Sequence, residues 1–364
     1  MADNLLPGLA DRPPVPAHVG AKLVADTFVS RGAHDDTYLE TREALAGSRH
    51  LPLWISAAAL LALGVAWAVD IPYVSPHVRH FVSTVPATAV SRATALTLLG
   101  TGLVMLLELP MLGWRNSSIY RLLHPTRSTI MDIVLYVIEI CGFFGVLSIL
   151  FTLGLSMVLS DALVGLVPKG AWHVSNPFLQ FVLVLVVLDF AKYCWHYFVH
   201  RVPFGWEAHK FHHAATEFNV ITTSRGHPLD SAIRLMFVAG PAAMLGATEA
   251  DIAALTVLLS MHAGLTHSMI NWRFGWIGRW ILISPVAHRI HHSDQPEHFD
   301  KNLGSILIIW DRIFGTYYGG PNVNTYVNVD NNVYNRRGVL DELFDCERRV
   351  WRVLTRLPRR LLAG

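Results

Sequence analysis

"DFAKYCWHYFVHRVPFGWEAHKFHH", residues 189–213, decides how this chain folds, because it takes an apolar helix straight into five imidazoles. His196 and His200 are four apart, which on a helix sets both rings on one face about one turn from each other. His209, His212 and His213 follow at i, i+3 and i+4, again on one face. The same spacing returns in "PVAHRIHHSDQPEHFDKNLGSILIIWDRIFGTYY", residues 285–318, with His288, His291 and His292. Eight imidazoles in three clusters exceed what one tetrahedral ion uses. The economical reading is two metal ions sharing the set.

Working outward, the chain has 364 residues, 52% of them hydrophobic and only 15% charged, with a positive mean hydropathy. That composition argues against an ordinary soluble domain and for an all-α integral membrane protein. A hydrocarbon core about 30 Å thick calls for roughly 20 apolar residues of helix. Six stretches approach that length: 52–69, 94–113, 132–159, 177–199, 229–247 and 250–268. Thr248 and Asp251 make a capping box that favours a tight hairpin between the last two. With the N-terminus inside, the far-side loops hold only Arg79, Arg92 and Lys169. This asymmetry orients the chain, with both termini and all three histidine clusters at the cytoplasmic face. Residues 1–51 read as a polar, proline-containing cytoplasmic segment without a cleavable signal, and 52–176 as three transmembrane helices. Cys141, Cys194 and Cys346 follow no metal or disulfide pattern and are expected as reduced thiols.

Beside the three clusters stand "SRGHPLD" at 224–230, "THS" at 266–268 and "DKNLGSILIIWDRIFGTYY" at 300–318. On these motifs, residues 177–320 resemble the fatty acid hydroxylase/sterol desaturase superfamily of integral-membrane di-iron enzymes, and the last piece resembles its alkylglycerol monooxygenase branch and bacterial relatives. Tyr197 stands where an arginine usually follows the first histidine, and Met269 where many relatives have asparagine. The resemblance implies two iron ions, O2 as co-substrate, and His227 and His267 as further ligands. With these the metal set is His196, His200, His209, His212, His213, His227, His267, His288, His291 and His292. It also implies a lipid substrate entering from the bilayer and electrons from a separate reductase, cytochrome or ferredoxin. For a bacterial-type chain the expected location is the cell inner membrane.

Imidazole suits iron, zinc and copper about equally, so ligand type alone does not select the metal. Asp189, Tyr193 and His196 line one helical face, so Asp189 or Tyr193 is expected to orient the His196 ring. His262 is expected to pack or to support a ligand, and His298 to lie in a surface loop. Glu108 and Glu139 map to the cytoplasmic half of their spans, where acids usually face the bundle interior. Residues 302–316 read as part of a histidine-rich cytoplasmic cap, with Asp300, Asp311 and Arg312 structural. Val350, Trp351, Leu354 and Leu357 put a stripe on a basic amphipathic tail, 321–364, expected to lie on anionic lipid. Desaturation is the nearest rival to hydroxylation, since both begin with hydrogen abstraction. A metal transporter would hold its ligands near mid-membrane, and a zinc protease would need HExxH, which is absent. Nothing in the pattern points to nucleic acid.

Overall fold

A computed structural model describes residues 87–320, 327–329 and 332–361. The expected first span, 52–69, and the segment 1–51 lie outside the described residues. The described residues are helical apart from one isolated antiparallel bridge between Leu282 and Leu307. The helices up to the first histidine cluster are α1 (Ala87–Leu112), α2 (Ser118–Leu123), α3 (Arg127–Ile140), α4 (Phe143–Phe151), α5 (Leu155–Leu166) and α6 (Pro177–Arg201). There follow α7 (Pro203–His213), α8 (Pro228–Leu245), α9 (Glu249–Thr266), α10 (Gly275–Trp280), α11 (Pro285–His291), α12 (Ile309–Phe314) and α13 (Val339–Leu361).

Among the described residues, two helices are long and apolar enough to cross a bilayer, α6 and the Thr94–Leu112 part of α1. The count rises to three if α3 and α4 together form one span. The expected continuous span 132–159 is corrected: α3 and α4 meet at 100°. Gly142, with φ of 76°, takes the left-handed conformation that ends α3, and Gly154, with φ of 79°, does the same between α4 and α5. Only glycine adopts this without a steric cost. Unbroken apolarity concealed a chain that turns twice. The helix following Thr248 begins as expected, with its hydroxyl accepting from Asp251 N–H and the Asp251 carboxylate accepting from Thr248 N–H.

The helices pair as α1 with α9, α6 with α8, and α8 with α5, and α7 folds back against α6. The tail expectation is corrected as well. On α13, Leu343 and Cys346 pack against Phe211 of α7 and Met131 and Leu135 of α3, and Val350 is buried too, so it does not face lipid. Trp351 points outward, its indole N–H donating to Glu347. All three cysteines are free thiols.

Candidate metal centre

Each histidine reaches the centre for a local reason. At the junction of α6 and α7, Pro203 starts the second helix, and Gly205 lies so near Val199 that a Cβ would come within 2.9 Å of its Cα. A larger residue would open this corner, which folds α7 back so that His209 Nε2 lies 3.1 Å from His196 Nε2. The hydroxyl of Ser284 caps α11, accepting from Ala287 N–H. His267 closes α9.

Nine imidazoles meet in two groups. His196, His200, His209, His213 and His291 form one, and His212, His267, His288 and His292 the other; within each, the ligand-capable atoms lie within 4.8 Å of one another. The groups adjoin, with His213 and His292 stacked at 4.2 Å. His227, expected as a tenth ligand, lies outside both. Its Nδ1 accepts from Leu229 N–H at the start of α8, and its Nε2 donates to the Leu343 carbonyl at 2.9 Å. Both nitrogens are used on backbone, which leaves no lone pair for a metal.

The other ring nitrogens are held by an outer set of acceptors. His209 Nδ1 donates to Asp230 at 3.0 Å, His196 Nδ1 to the Leu303 carbonyl at 2.6 Å, and His212 Nδ1 to the Arg225 carbonyl at 2.8 Å. His291 Nδ1 donates to the Lys301 carbonyl and His267 Nδ1 to the Ala263 carbonyl, both at 2.9 Å. His200 Nδ1 lies 3.4 Å from an Asp300 oxygen. These bonds set the tautomer and aim each Nε2 lone pair inward. As a consequence His196 and His209 point two bare lone pairs at each other across 3.1 Å, while His267 turns its Nε2 lone pair toward His288 Nε2 at 3.2 Å. Lone pairs that close repel unless a cation lies between or beside them. The Nε2 atoms of His200, His213, His291 and His292 are buried without a hydrogen-bond partner, which is rare for polar atoms in a folded interior. The donor set fits metal ions.

Burial, reinforced by the neighbouring rings, holds His209, His213, His288, His291 and His292 well below the usual imidazole range. His212 is pushed down to about 3 for the same reasons. These rings are therefore neutral at neutral pH, the form that ligates metal.

Asp189 and Tyr193 do not touch His196, which corrects the expected direct contact. The Asp189 carboxylate accepts from Ile306 N–H, Leu307 N–H and the Trp310 indole. Tyr193 bonds Thr316, whose hydroxyl donates to Asp311, and Asp311 accepts from Leu303 N–H and Gly304 N–H. Both residues thus anchor the 300–316 strap whose carbonyls and carboxylate steer His196, His200 and His291. Asp300 and Asn302 have φ of 58° and 54°. Such left-handed values are strained outside glycine, and they flank the Lys301 carbonyl that His291 uses.

Sequence reading missed Asp230, although it sits in the quoted "SRGHPLD" motif, and it took Asp300 as merely structural. It also missed the fully buried ion pair of Arg225 and Asp132 at 2.6 Å. Ser128 and Asn335 hold the same guanidinium, fixing the carbonyl that His212 uses. Glu108 accepts from Ser118 N–H at the end of α1, away from the rings. His262 bonds the Ile283 carbonyl. His298, expected at the surface, is buried against Tyr318.

Bilayer-length helices and nine converging imidazoles define the chain as a membrane protein of the histidine-cluster class. More narrowly, residues 181–316 match the family model for fatty acid hydroxylase. The chain is 32% identical over 145 residues to the ornithine lipid hydroxylase OlsE of Rhizobium tropici, covering 39% of this chain and 43% of that one. Alkylglycerol monooxygenase of Xenopus tropicalis is 31% identical over 135 residues, 37% of this chain and 30% of the relative. A Delta(7)-sterol 5(6)-desaturase of Aspergillus fumigatus is 26% identical over 155 residues, 41% and 42% of the two chains. The matches thus span less than half the length of each of these relatives. No solved structure matches the chain.

Proposed function

We propose that this chain is an integral-membrane di-iron oxygenase that hydroxylates a C–H bond of a lipid, using O2 and electrons from a separate donor protein. The observation that carries this reading is the division of the imidazoles into two adjoining groups, each with buried Nε2 atoms that lack a partner, His200, His213 and His291 in one and His292 in the other, which suits two cations better than one. The five-histidine and four-histidine groups would hold one ion each. Iron bound there supplies oxidising power from dioxygen sufficient for an unactivated C–H bond.

The chain's own residues do the rest. Asp230, Asp300 and the carbonyls of Arg225, Ala263, Lys301 and Leu303 lock the rings. Asp189 and Tyr193 hold the strap that presents the last two carbonyls. Burial of the rings keeps out bulk water that would consume the oxidising equivalents. The substrate enters from the bilayer beside α6. The centre lies at the cytoplasmic face of the cell inner membrane, a reading that rests on the distribution of Lys and Arg between the loops.

Lipids extracted from cells producing the wild-type chain and its His212→Ala variant provide the test, read by mass spectrometry. A lipid that gains one oxygen only with the wild-type chain supports hydroxylation. A loss of two hydrogens would reassign the reaction to desaturation, and identical lipid profiles would end the proposal.

A further inference from the structure

Next to the histidine-bearing helix α11, on the stripe formed by Ser284, Ala287 and Ile290, lies a cavity of about 420 Å³. Its remaining wall comes from Arg273, Gly275, Gly278 and Arg279 on one side and Tyr317, Tyr318 and Gly319 on the other. That lining holds two arginines and no carboxylate. Both arginines are exposed, and neither enters an ion pair among the described residues. A third cation stiffens the wall: the Arg312 guanidinium sits 3.9 Å from the Trp280 ring centroid and 3.7 Å from that of Tyr317.

The rim is apolar and outward. Trp276 is 66% exposed, Trp280 49%, Ile313 61% and Phe314 52%. This surface continues onto a bilayer-length helix, because Phe314 stacks with Tyr193 and Phe190 of α6 at centroid distances of 5.4 and 6.0 Å. The apolar run of α6 ends at Leu188, and Asp189 and Lys192 bracket Phe190 just beyond it, so the cavity lies at the depth where headgroups meet acyl chains. Tryptophan belongs at that boundary, and arginine there attracts anionic headgroups.

We propose that this cavity binds an anionic phospholipid, with Arg273 and Arg279 on the phosphate and the chains along Trp276, Trp280 and Ile313. A free anion would explain the arginines but leave the apolar rim without a purpose. The site is independent of the metal reading and holds whichever ion the histidines carry.

The full-length chain in neutral detergent tests this, using dioleoyl phosphatidylglycerol, dioleoyl phosphatidylcholine and inorganic phosphate as probes. The readouts are the thermal midpoint during titration and native mass spectrometry of retained lipid. Phosphatidylglycerol is expected to raise the midpoint saturably and to remain bound, and R273Q/R279Q to raise its half-saturation roughly tenfold. Metal content and the lipid-free midpoint of that variant stay at wild-type values. W276S, which alters only an exposed ring, weakens retention of the same lipid. Phosphatidylglycerol binding that neither variant changes, or an equal effect from inorganic phosphate alone, would overturn the proposal.

Discussion

Asp230 illustrates how much one side chain controls. It holds the Nδ1 of His209 at 3.0 Å and also accepts from the Trp195 indole. Carboxylate support of a metal-bound imidazole is typically worth roughly 10 to 100-fold in affinity or activity. Asp230→Asn should therefore weaken metal retention by roughly tenfold or more, measured by metal titration of the purified chain. Unchanged affinity would mean that the carboxylate is incidental. His227→Ala makes the opposite prediction, since that ring caps α8. Its loss should cost about 1 kcal/mol of stability and leave the number of bound metal ions as in the wild type. A drop in metal stoichiometry at unchanged stability would restore His227 to the ligand set.

Among the elements, the strap of residues 300–316 has the widest reach, because it steers three histidines and is itself pinned from α6. Asp189→Ala would strand two backbone N–H groups and an indole N–H, each buried orphan costing about 1–3 kcal/mol. Tyr193→Phe removes a single hydroxyl contact, worth about 1 kcal/mol. The thermal midpoint and metal content should both fall far more in the first variant than in the second. Equal effects would show that the strap is not the route by which α6 acts on the site. On the opposite flank, Asp132 of α3 and Arg225 are both fully buried and paired. Asp132→Ala leaves an uncompensated guanidinium, expected to cost about 3–5 kcal/mol. A urea titration of the metal-free chain would measure that cost, and a loss below about 1 kcal/mol would contradict the ion pair's role.

For the whole molecule, the cluster makes metal-free stability depend on pH. The buried rings remain neutral where an unfolded chain would protonate them near pH 6.5, so the unfolded state binds more protons in acid. Stability should be fully present above about pH 6.5 and should decline as pH falls toward about 3, where His212 itself titrates. Asp311, which burial pushes up to about 6, contributes with the opposite sign. Asp230 is pushed up to about 6 in the same way, and these two carboxyls stand against His209, His212, His213, His288, His291 and His292. Removing two of those rings in His291→Asn/His292→Asn should flatten the acid limb of a midpoint-against-pH curve. An unaltered slope would show that other groups set it.

The sequence alone determined the chemistry on offer. Three histidine clusters at helical spacing on an apolar chain announce a metal centre on a membrane scaffold, because helix periodicity and hydropathy are local properties of consecutive residues. Eight of the nine converging rings were legible in this way, and the ninth, His267, only through the family resemblance. Only the tertiary structure decided which imidazoles gather in which group, that His227 spends both nitrogens on backbone, and that α3 and α4 bend at Gly142 instead of running straight. It alone revealed Asp230 and the carbonyls of Arg225, Lys301 and Leu303 behind the rings. A carbonyl exists at every position whatever the residue, so no sequence pattern can single out the few that happen to face an imidazole a hundred residues away.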